Sequence, residues 1–240
     1  MFDDKSAFTD EKFAGDQKVG KSIFGKLEQK LVNKFVAKIP KGIETYHLTI
    51  STLIWCAFII LFSFLAKYNI HWLWGVSVMI VFQYITDLFD GAVGRLRNTG
   101  LIKWGYYMDH FLDYIFLCSI LIGYSFILKD EYNTLFFILV AFGAYMVNSY
   151  LAFAATNKFK ISYLDIGPTE VRLIFIIANA LIIFNYGDEH IPLASILPYI
   201  LAFAIVGLIW VVYDTQRYIW KKDIKEKQKI ANNPTDSVTK

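Results

Sequence analysis

Six long apolar segments constrain the fold of this chain more than any other feature. Only helices and closed barrels satisfy every backbone polar group inside a bilayer, and about 20 apolar residues suffice for a helix to cross its hydrocarbon core. Charged residues make up 19% of the chain, against about 25% in soluble domains. The sequence therefore predicts an all-α integral membrane protein with six transmembrane helices, at about 48–66, 72–94, 106–128, 133–156, 170–186 and 193–216.

Basic residues are distributed very unevenly between the two sides of these segments. Of the 24 Lys and Arg residues, all but Lys67 and Lys129 fall in regions 1–46, 95–105 and 157–172 or in the tail from Arg217. Loops rich in Lys and Arg stay on the cytoplasmic side of a membrane. The pattern predicts that both termini and the two basic loops are cytoplasmic.

A different kind of segment precedes the first span. Between residues 17 and 39, apolar residues recur at steps of three and four, as on one face of a helix, with lysines between them. A basic amphipathic helix of this kind is typical of a segment lying on the membrane surface, where anionic lipid attracts it. The alternative is a soluble helix docked on the cytoplasmic loops. The prediction is a cytoplasmic amphipathic surface helix at about 17–39.

Four aspartates lie where the second and third spans meet their cytoplasmic loop: Asp87, Asp90, Asp109 and Asp113. Ionisable residues in membrane segments are costly, so they usually face a cavity or a partner and mark function. The first two are three residues apart and the last two four apart, so each pair shares one face of its helix. The short loop predicts antiparallel neighbouring helices whose aspartate pairs can meet.

Four converging carboxylates need compensating positive charge. Arg95 and Arg97 are the nearest bases in the sequence, but two bases do not balance four acids. Carboxylate oxygens suit hard cations, so the cluster predicts two Mg²⁺ ions, with Mn²⁺ as an alternative. Zinc is not expected, because no His or Cys stands at ligand spacing. His110 adjoins Asp109 but is turned about 100° around the helix, so it is expected to have a structural role or to support a metal ligand.

Small and basic residues follow the first aspartate pair. Gly91 and Gly94 remove side chains from the helix just beyond Asp90, which allows close approach of a ligand; close helix packing is the alternative. Arg95 lies one turn after Gly91, and its planar guanidinium suits a phosphate. Anchoring on the cytoplasmic side is the alternative role for Arg95.

Residues 87–113 resemble the signature of the CDP-alcohol phosphotransferase family. That signature reads D-x-x-D-G-x-x-A-R, then a spacer, then G-x-x-x-D-x-x-x-D. The chain departs from it at Gly94, where the family usually has Ala, and its spacer of nine residues is slightly long. The matching residues are Asp87, Asp90, Gly91, Arg95, Gly105, Asp109 and Asp113.

The resemblance implies a role for each of these residues. Asp87, Asp90 and Asp109 would hold one metal ion, and Asp87, Asp109 and Asp113 a second. The CDP group would be bound by Asp90, Gly91, Gly94 and Arg95. Asp113 occupies the position of the general base. The family also implies a homodimer, and a metal-dependent transfer of a substituted phosphate from a CDP-linked donor to an alcohol, with release of CMP.

Two further segments are matched less closely. Thr45 and Tyr46 replace the Pro-Asn pair usual at the entry to the first span, so Thr49 is only a candidate nucleotide contact. Arg172, at the cytoplasmic start of the fifth span, is a candidate ligand for the acceptor or a phosphate. Helix capping by Thr169 and Glu170 is the alternative account of that segment.

The predicted protein is thus a membrane transferase of phospholipid or polar-lipid synthesis. Residues 1–46 form its cytoplasmic N-terminal region, 47–218 the six-span catalytic domain and 219–240 a basic cytoplasmic tail. Its active site faces the cytoplasm, one of its two substrates is lipidic, no nucleic acid is expected, and its expected location is a bacterial inner membrane. The alternatives are an ion- or proton-coupled transporter that uses the buried aspartates, and a non-catalytic magnesium-binding scaffold.

Overall fold

The computed structural model describes residues 24–99, 101–130, 132–156, 167–185 and 193–232. The described residues are helical, and no strand occurs among them. Short 3₁₀ turns precede three of the long helices. The α-helices are α1 (Gly25–Phe35), α2 (Thr45–Leu65), α3 (Leu73–Arg97), α4 (Ile102–Ser125), α5 (Thr134–Thr156), α6 (Pro168–Phe184) and α7 (Leu197–Asn232).

Each of the six predicted apolar segments coincides with one of the helices α2 to α7. By length and composition, α2, α3, α5 and α7 are long and apolar enough to cross a membrane. The other two differ for identifiable reasons, because α4 carries Asp109 and Asp113 and α6 has only 17 residues. The chain is therefore an all-helical integral membrane protein with four clear candidate spans among its described residues.

Helix α2 lies at the centre of the bundle and packs on both α3 and α4. Helix α6 packs on α3, α5 on α4, and α7 on α5. The core between these helices is apolar, with Ile59, Leu73, Ile80 and Ile120 almost fully buried. The prediction that α3 and α4 are direct neighbours is wrong for most of their length, because α2 packs against both and holds them apart.

The crossing of α2 and α4 depends on a residue without a side chain. A Cβ atom added at Gly123 would overlap Ser63 Oγ on α2, and Ser63 is fully enclosed, at 1% exposure. Small residues let helices approach closely in membranes, where packing rather than water drives association. This contact sets how closely α4 approaches α2 at the end of α4 that is remote from its aspartates.

Arg97 anchors the segment between α1 and α2 to the end of α3. Its guanidinium donates hydrogen bonds to the carbonyl oxygens of Ile43 (2.6 Å), Ile39 (3.0 Å) and Pro40 (3.0 Å). The same group lies 3.6 Å from a carboxylate oxygen of Glu44, which caps α2. The loop is thereby fixed at both of its ends, and with it the start of α2.

Helix α1 covers the middle of the segment predicted at 17–39, and residues 17–23 lie outside the described part. A 3₁₀ turn at Val36–Lys38 follows it. At 100° per residue, its side chains divide among three faces. One faces the bundle and includes Glu28 and Val32, and another carries the exposed lysines Lys26, Lys30 and Lys34 beside Asn33. The third is apolar and exposed, with Leu27, Leu31 and Phe35 at 55, 37 and 38% exposure.

Candidate active site

Two helices present the aspartates of the cluster from opposite sides. Single carboxylate oxygens of Asp87 and Asp90 on α3 and of Asp109 on α4 all lie within 4.8 Å of one another. Asp113 lies one turn further along α4 and shares a second such group with Asp109. The predicted meeting of the two pairs is therefore found, although α3 and α4 hardly touch elsewhere.

Arg172 on α6 is the cation that the structure places among these acids. Its Nη2 atom lies 2.8 Å from Asp87 Oδ2 and 3.4 Å from Asp113 Oδ1. Its Nε donates to Gln83 Oε1 at 2.7 Å. Arg172 is only 5% exposed, and a buried guanidinium is stable only when it is paired and hydrogen-bonded in this way. The charge partner of the cluster thus comes from a distant helix, 59 residues along the chain from Asp113.

Within the part of the chain that the structure describes, neither basic residue at the end of α3 forms an ion pair with the aspartates. Arg97 binds the loop before α2, as described above. Arg95 is exposed and lines the cavity. A Cβ atom at Gly91 would stand 3.2 Å from Nη1 of Arg95, so the glycine gives this guanidinium room to fold back along the helix. Gly94 is buried within the bundle.

Two threonines of α2 support Asp90. Thr49 Oγ1 donates to Asp90 Oδ2 at 3.1 Å, and Thr45 Oγ1 donates to the backbone carbonyl of Asp90, also at 3.1 Å. Hydrogen bonds to an ionised acceptor are stronger than those between neutral groups. The candidate nucleotide contact Thr49 therefore has a role within the protein, where it orients one carboxylate of the cluster.

His110 lies closer to the cluster than the sequence suggested. Its Nδ1 atom is 3.2 Å from Asp109 Oδ2, and His110, Asp109 and Asp113 form a group of ligand atoms within 4.8 Å. The expectation that no histidine stands at ligand distance is wrong, because an imidazole can swing back across the helix surface to reach its neighbour. Tyr150 on α5 donates to the backbone carbonyl of His110 at 3.1 Å.

The start of α6 is capped, as the alternative interpretation predicted, but only Glu170 takes part and not Thr169. Gly167 is the N-cap, Pro168 is the first helical residue, and Glu170 Oε2 accepts from the backbone N–H of Gly167 at 2.9 Å. Thr169 instead donates to Glu28 on α1 at 2.7 Å. The capping residue Glu170 and the ion-paired Arg172 therefore lie in the same turn of α6.

The aspartates line one cavity of about 470 Å³. Its walls come from α1, α3, α4 and α6, and they carry carboxylates together with the two arginines Arg95 and Arg172. The volume falls within the range of small-molecule and cofactor sites, which place a few polar groups in a concave surface. The cavity can hold a charged ligand against the aspartates.

The sequence model of the CDP-alcohol phosphatidyltransferase family matches residues 46–213, more than two thirds of the chain. The chain belongs to this family. Comparison with individual curated proteins gives no match. A CDP-alcohol phosphatidyltransferase transfers a phosphoalcohol group from a CDP-alcohol in lipid synthesis, and the match includes every aspartate of the cluster and Arg172. Helix α1, which lines the same cavity of this phosphatidyltransferase, lies outside the match.

Proposed function

We propose that the protein catalyses metal-dependent transfer of a substituted phosphate from a CDP-linked donor to an alcohol, with release of CMP. The observation that carries this proposal is the grouping of Asp87, Asp90 and Asp109 from two helices within 4.8 Å. This grouping lies inside the matched region and opens into a cavity of substrate size. One substrate is lipidic, since three of the four helices around the cavity, α3, α4 and α6, are proposed membrane spans.

The aspartate cluster fits divalent cations. Two carboxylates whose oxygens lie within 4.8 Å of one another repel by about 3 kcal/mol or more at an effective dielectric constant near 20, and Arg172 supplies one positive charge for four acids. Carboxylates in this number suit Mg²⁺ or Mn²⁺. Asp87, Asp90 and Asp109 would hold one ion, and Asp87, Asp109 and Asp113 a second. Bound divalent ions would neutralise the diphosphate and polarise its phosphoryl oxygens.

The residues beyond Asp90 are suited to the CDP group. We assign Asp90, Gly91, Gly94 and Arg95 to donor binding. Arg95 is the exposed guanidinium of the cavity, so it is free to turn towards a phosphate, and the missing side chain at Gly91 keeps that path open. Thr49 keeps the Asp90 carboxylate in place during binding, and Thr45 holds the backbone carbonyl of the same residue.

Asp113 is the proposed general base. The acceptor hydroxyl gives its proton to the Asp113 carboxylate, its oxygen forms a bond to the phosphorus of the transferred group, and the bond from that phosphorus to the oxygen of CMP breaks. A base must lie within hydrogen-bond reach of the proton that it takes. Arg172 holds Asp113 at 3.4 Å, and we assign Arg172 to the phosphate or acceptor on the same side.

The remaining features of the proposal concern the membrane. We propose that α2 to α7 all cross the bilayer, with both termini and the active site on the cytoplasmic side, in a bacterial inner membrane. Helix α1 would lie on the membrane surface with its apolar face in the lipid. A homodimer is proposed from the family resemblance.

The test is CMP release by purified protein in lipid nanodiscs containing magnesium. CDP-diacylglycerol is supplied with a panel of small alcohols, and CDP-aminoalcohols are supplied with diacylglycerol. Asp87→Asn should be inactive, whereas Asp223→Asn, at an exposed site on α7, should behave as wild type. Magnesium-dependent transport without CMP release from any donor would instead support a transporter.

A further inference from the structure

Glu28 joins three helices at the edge of the cavity. It lies on α1, and its Oε1 atom accepts hydrogen bonds from Thr169 Oγ1 of α6 at 2.7 Å and from the Tyr84 hydroxyl of α3 at 3.1 Å. Bonds to an ionised acceptor are about twice as strong as those between neutral groups. One carboxylate therefore ties α1 to the two helices that carry Arg172 and Asp87.

The contacts of Glu28 continue directly to the charged centre. The ring of Tyr84 lies over the guanidinium of Arg172, whose central carbon is 5.8 Å from the ring centroid. Arg172 in turn contacts Asp87 and Asp113. Thr169 lies three residues before Arg172, on the same side of α6. Of the two groups that donate to Glu28, Tyr84 thus contacts Arg172 directly and Thr169 lies about one helical turn before it.

The faces of α1 show why this helix can act as a wall of the site. Glu28 and Val32 line the cavity, while Lys26, Lys30 and Lys34 lie roughly on the opposite side of the helix. The exposed apolar face lies between these two. A helix of this kind in the plane of the interface is held by lipid on one side and, in this chain, by Glu28 on another.

We propose that Glu28 is a positioning residue for the transfer reaction. It seats α1 against α3 and α6 and, through Tyr84 and Thr169, holds Arg172 between Asp87 and Asp113. The inference rests on the proposed function. Without the Glu28 carboxylate, the Tyr84 ring loses its anchor over Arg172 and the cavity loses the wall formed by α1.

The first measurement is CMP release by Glu28→Ala, Glu28→Gln and the matched control Glu226→Gln, which alters an exposed glutamate near the end of α7. We expect kcat/KM to fall at least tenfold in Glu28→Ala. Glu28→Gln keeps an acceptor oxygen, so its kcat/KM should fall only about threefold. The kcat/KM of Glu226→Gln should equal that of the wild type. Adding Thr169→Val to Glu28→Ala should lower kcat/KM little further, because both changes remove the same hydrogen bond.

The second measurement does not depend on activity. Val32→Cys is labelled with a water-soluble thiol reagent in a protein whose Cys56 and Cys118 are replaced by alanine. We expect Glu28→Ala to raise the labelling rate at least threefold, because α1 leaves the cavity. The rate at Lys34→Cys, on the lysine face, should not change.

The two measurements separate the outcomes. Faster labelling together with lower kcat/KM supports the proposal. Unchanged kcat/KM in Glu28→Ala overturns the positioning role, whatever the labelling shows. Lower kcat/KM with unchanged labelling overturns the seating of α1 and makes Glu28 a substrate contact. If the wild type releases no CMP from any donor, the proposed function fails, while the labelling rates still test whether Glu28 seats α1.

Discussion

Arg172 of α6 lies with its Nη2 atom 2.8 Å from Oδ2 of Asp87 in α3, and the same nitrogen is 3.4 Å from Asp113 in α4. One guanidinium thus joins three helices at the level of the aspartate cluster. The arginines nearest to the cluster in sequence do not supply this charge, because Arg97 binds backbone carbonyls and Arg95 is exposed.

This relationship predicts that Arg172→Ala destabilises the protein strongly. Removing one partner of a buried ion pair leaves an uncompensated charge and costs about 3–5 kcal/mol. Thermal unfolding in detergent should show a clearly lower Tm, and the double variant Asp87→Ala with Arg172→Ala should recover part of the loss. Arg217→Ala, at an exposed site on α7, is the matched control. An unchanged Tm in Arg172→Ala would show that the pair does not stabilise the fold.

Metal-dependent turnover is predicted from the carboxylates that the two proposed ions would share. Asp87 and Asp109 are each assigned to both ions, so Asp87→Ala and Asp109→Ala should abolish turnover and weaken divalent-ion binding, measured by calorimetry. Chelation with EDTA should inactivate the wild type, and added Mg²⁺ should restore it. Turnover that survives exhaustive chelation would contradict the two-metal proposal.

The membrane orientation can be tested by thiol labelling in intact cells. Cysteines introduced at Lys103 and Lys160 should react only from the cytoplasm, because both positions lie in the basic regions that we propose to be cytoplasmic. Lys67→Cys and Lys129→Cys, which the proposed topology places on the opposite side, should react with an impermeant reagent added outside. Labelling of Lys103→Cys from outside would refute the proposed orientation.

Helix packing at Gly123 gives a test of the fold that does not involve the active site. Gly123→Val inserts a branched side chain against Ser63 of α2 and should lower stability by about 1–3 kcal/mol, the usual cost of overpacking. Gly143→Ala is the matched control, since its added Cβ would meet only Tyr114 at an ordinary 3.6 Å. Equal Tm values for these two variants would show that the α2–α4 crossing tolerates a larger residue.

The sequence predicted the helices of the bundle from local patterns, and it predicted the meeting of the aspartates from those patterns together with the short loop that joins α3 to α4. Apolar length determines each span, and the spacings of Asp87 to Asp90 and Asp109 to Asp113 determine which side chains share a face. The spacing of residues within one helix does not reveal that α6 supplies the positive charge of Arg172, because that depends on how α6 packs on α3. The reach of the His110 side chain was missed for a related reason, since helical angle alone ignores side-chain length.

Glu28 shows the same limit more sharply. In the sequence it is one acid within a lysine-rich segment, and nothing in the spacing connects it with Tyr84 or Thr169. A hint was available, because Glu28 shares a helix face with Val32 and not with the lysines. Only the packing of α1 beside the cavity gives that face a partner.

The final prediction separates proton transfer from donor binding at Asp113. Asp113→Asn keeps the size of the side chain and one oxygen but removes its basicity, so kcat should fall by about 10²–10⁴, the usual contribution of general-base catalysis. Affinity for the CDP donor should fall much less, because Asp87, Asp90, Asp109 and Arg95 remain. Turnover and donor affinity are measured on the same purified variant.

The control for Asp113→Asn is Asp87→Ala, which should lose both turnover and donor affinity through the metal site. Contact with Arg172 at 3.4 Å is weaker for a neutral amide, so a small fall in Tm is also expected. A nearly normal kcat in Asp113→Asn would remove Asp113 from the role of base. Loss of donor affinity equal to that of Asp87→Ala would make Asp113 chiefly a metal ligand. Another group of the cavity would then have to take the proton of the acceptor hydroxyl. His110 is the group nearest to the cluster.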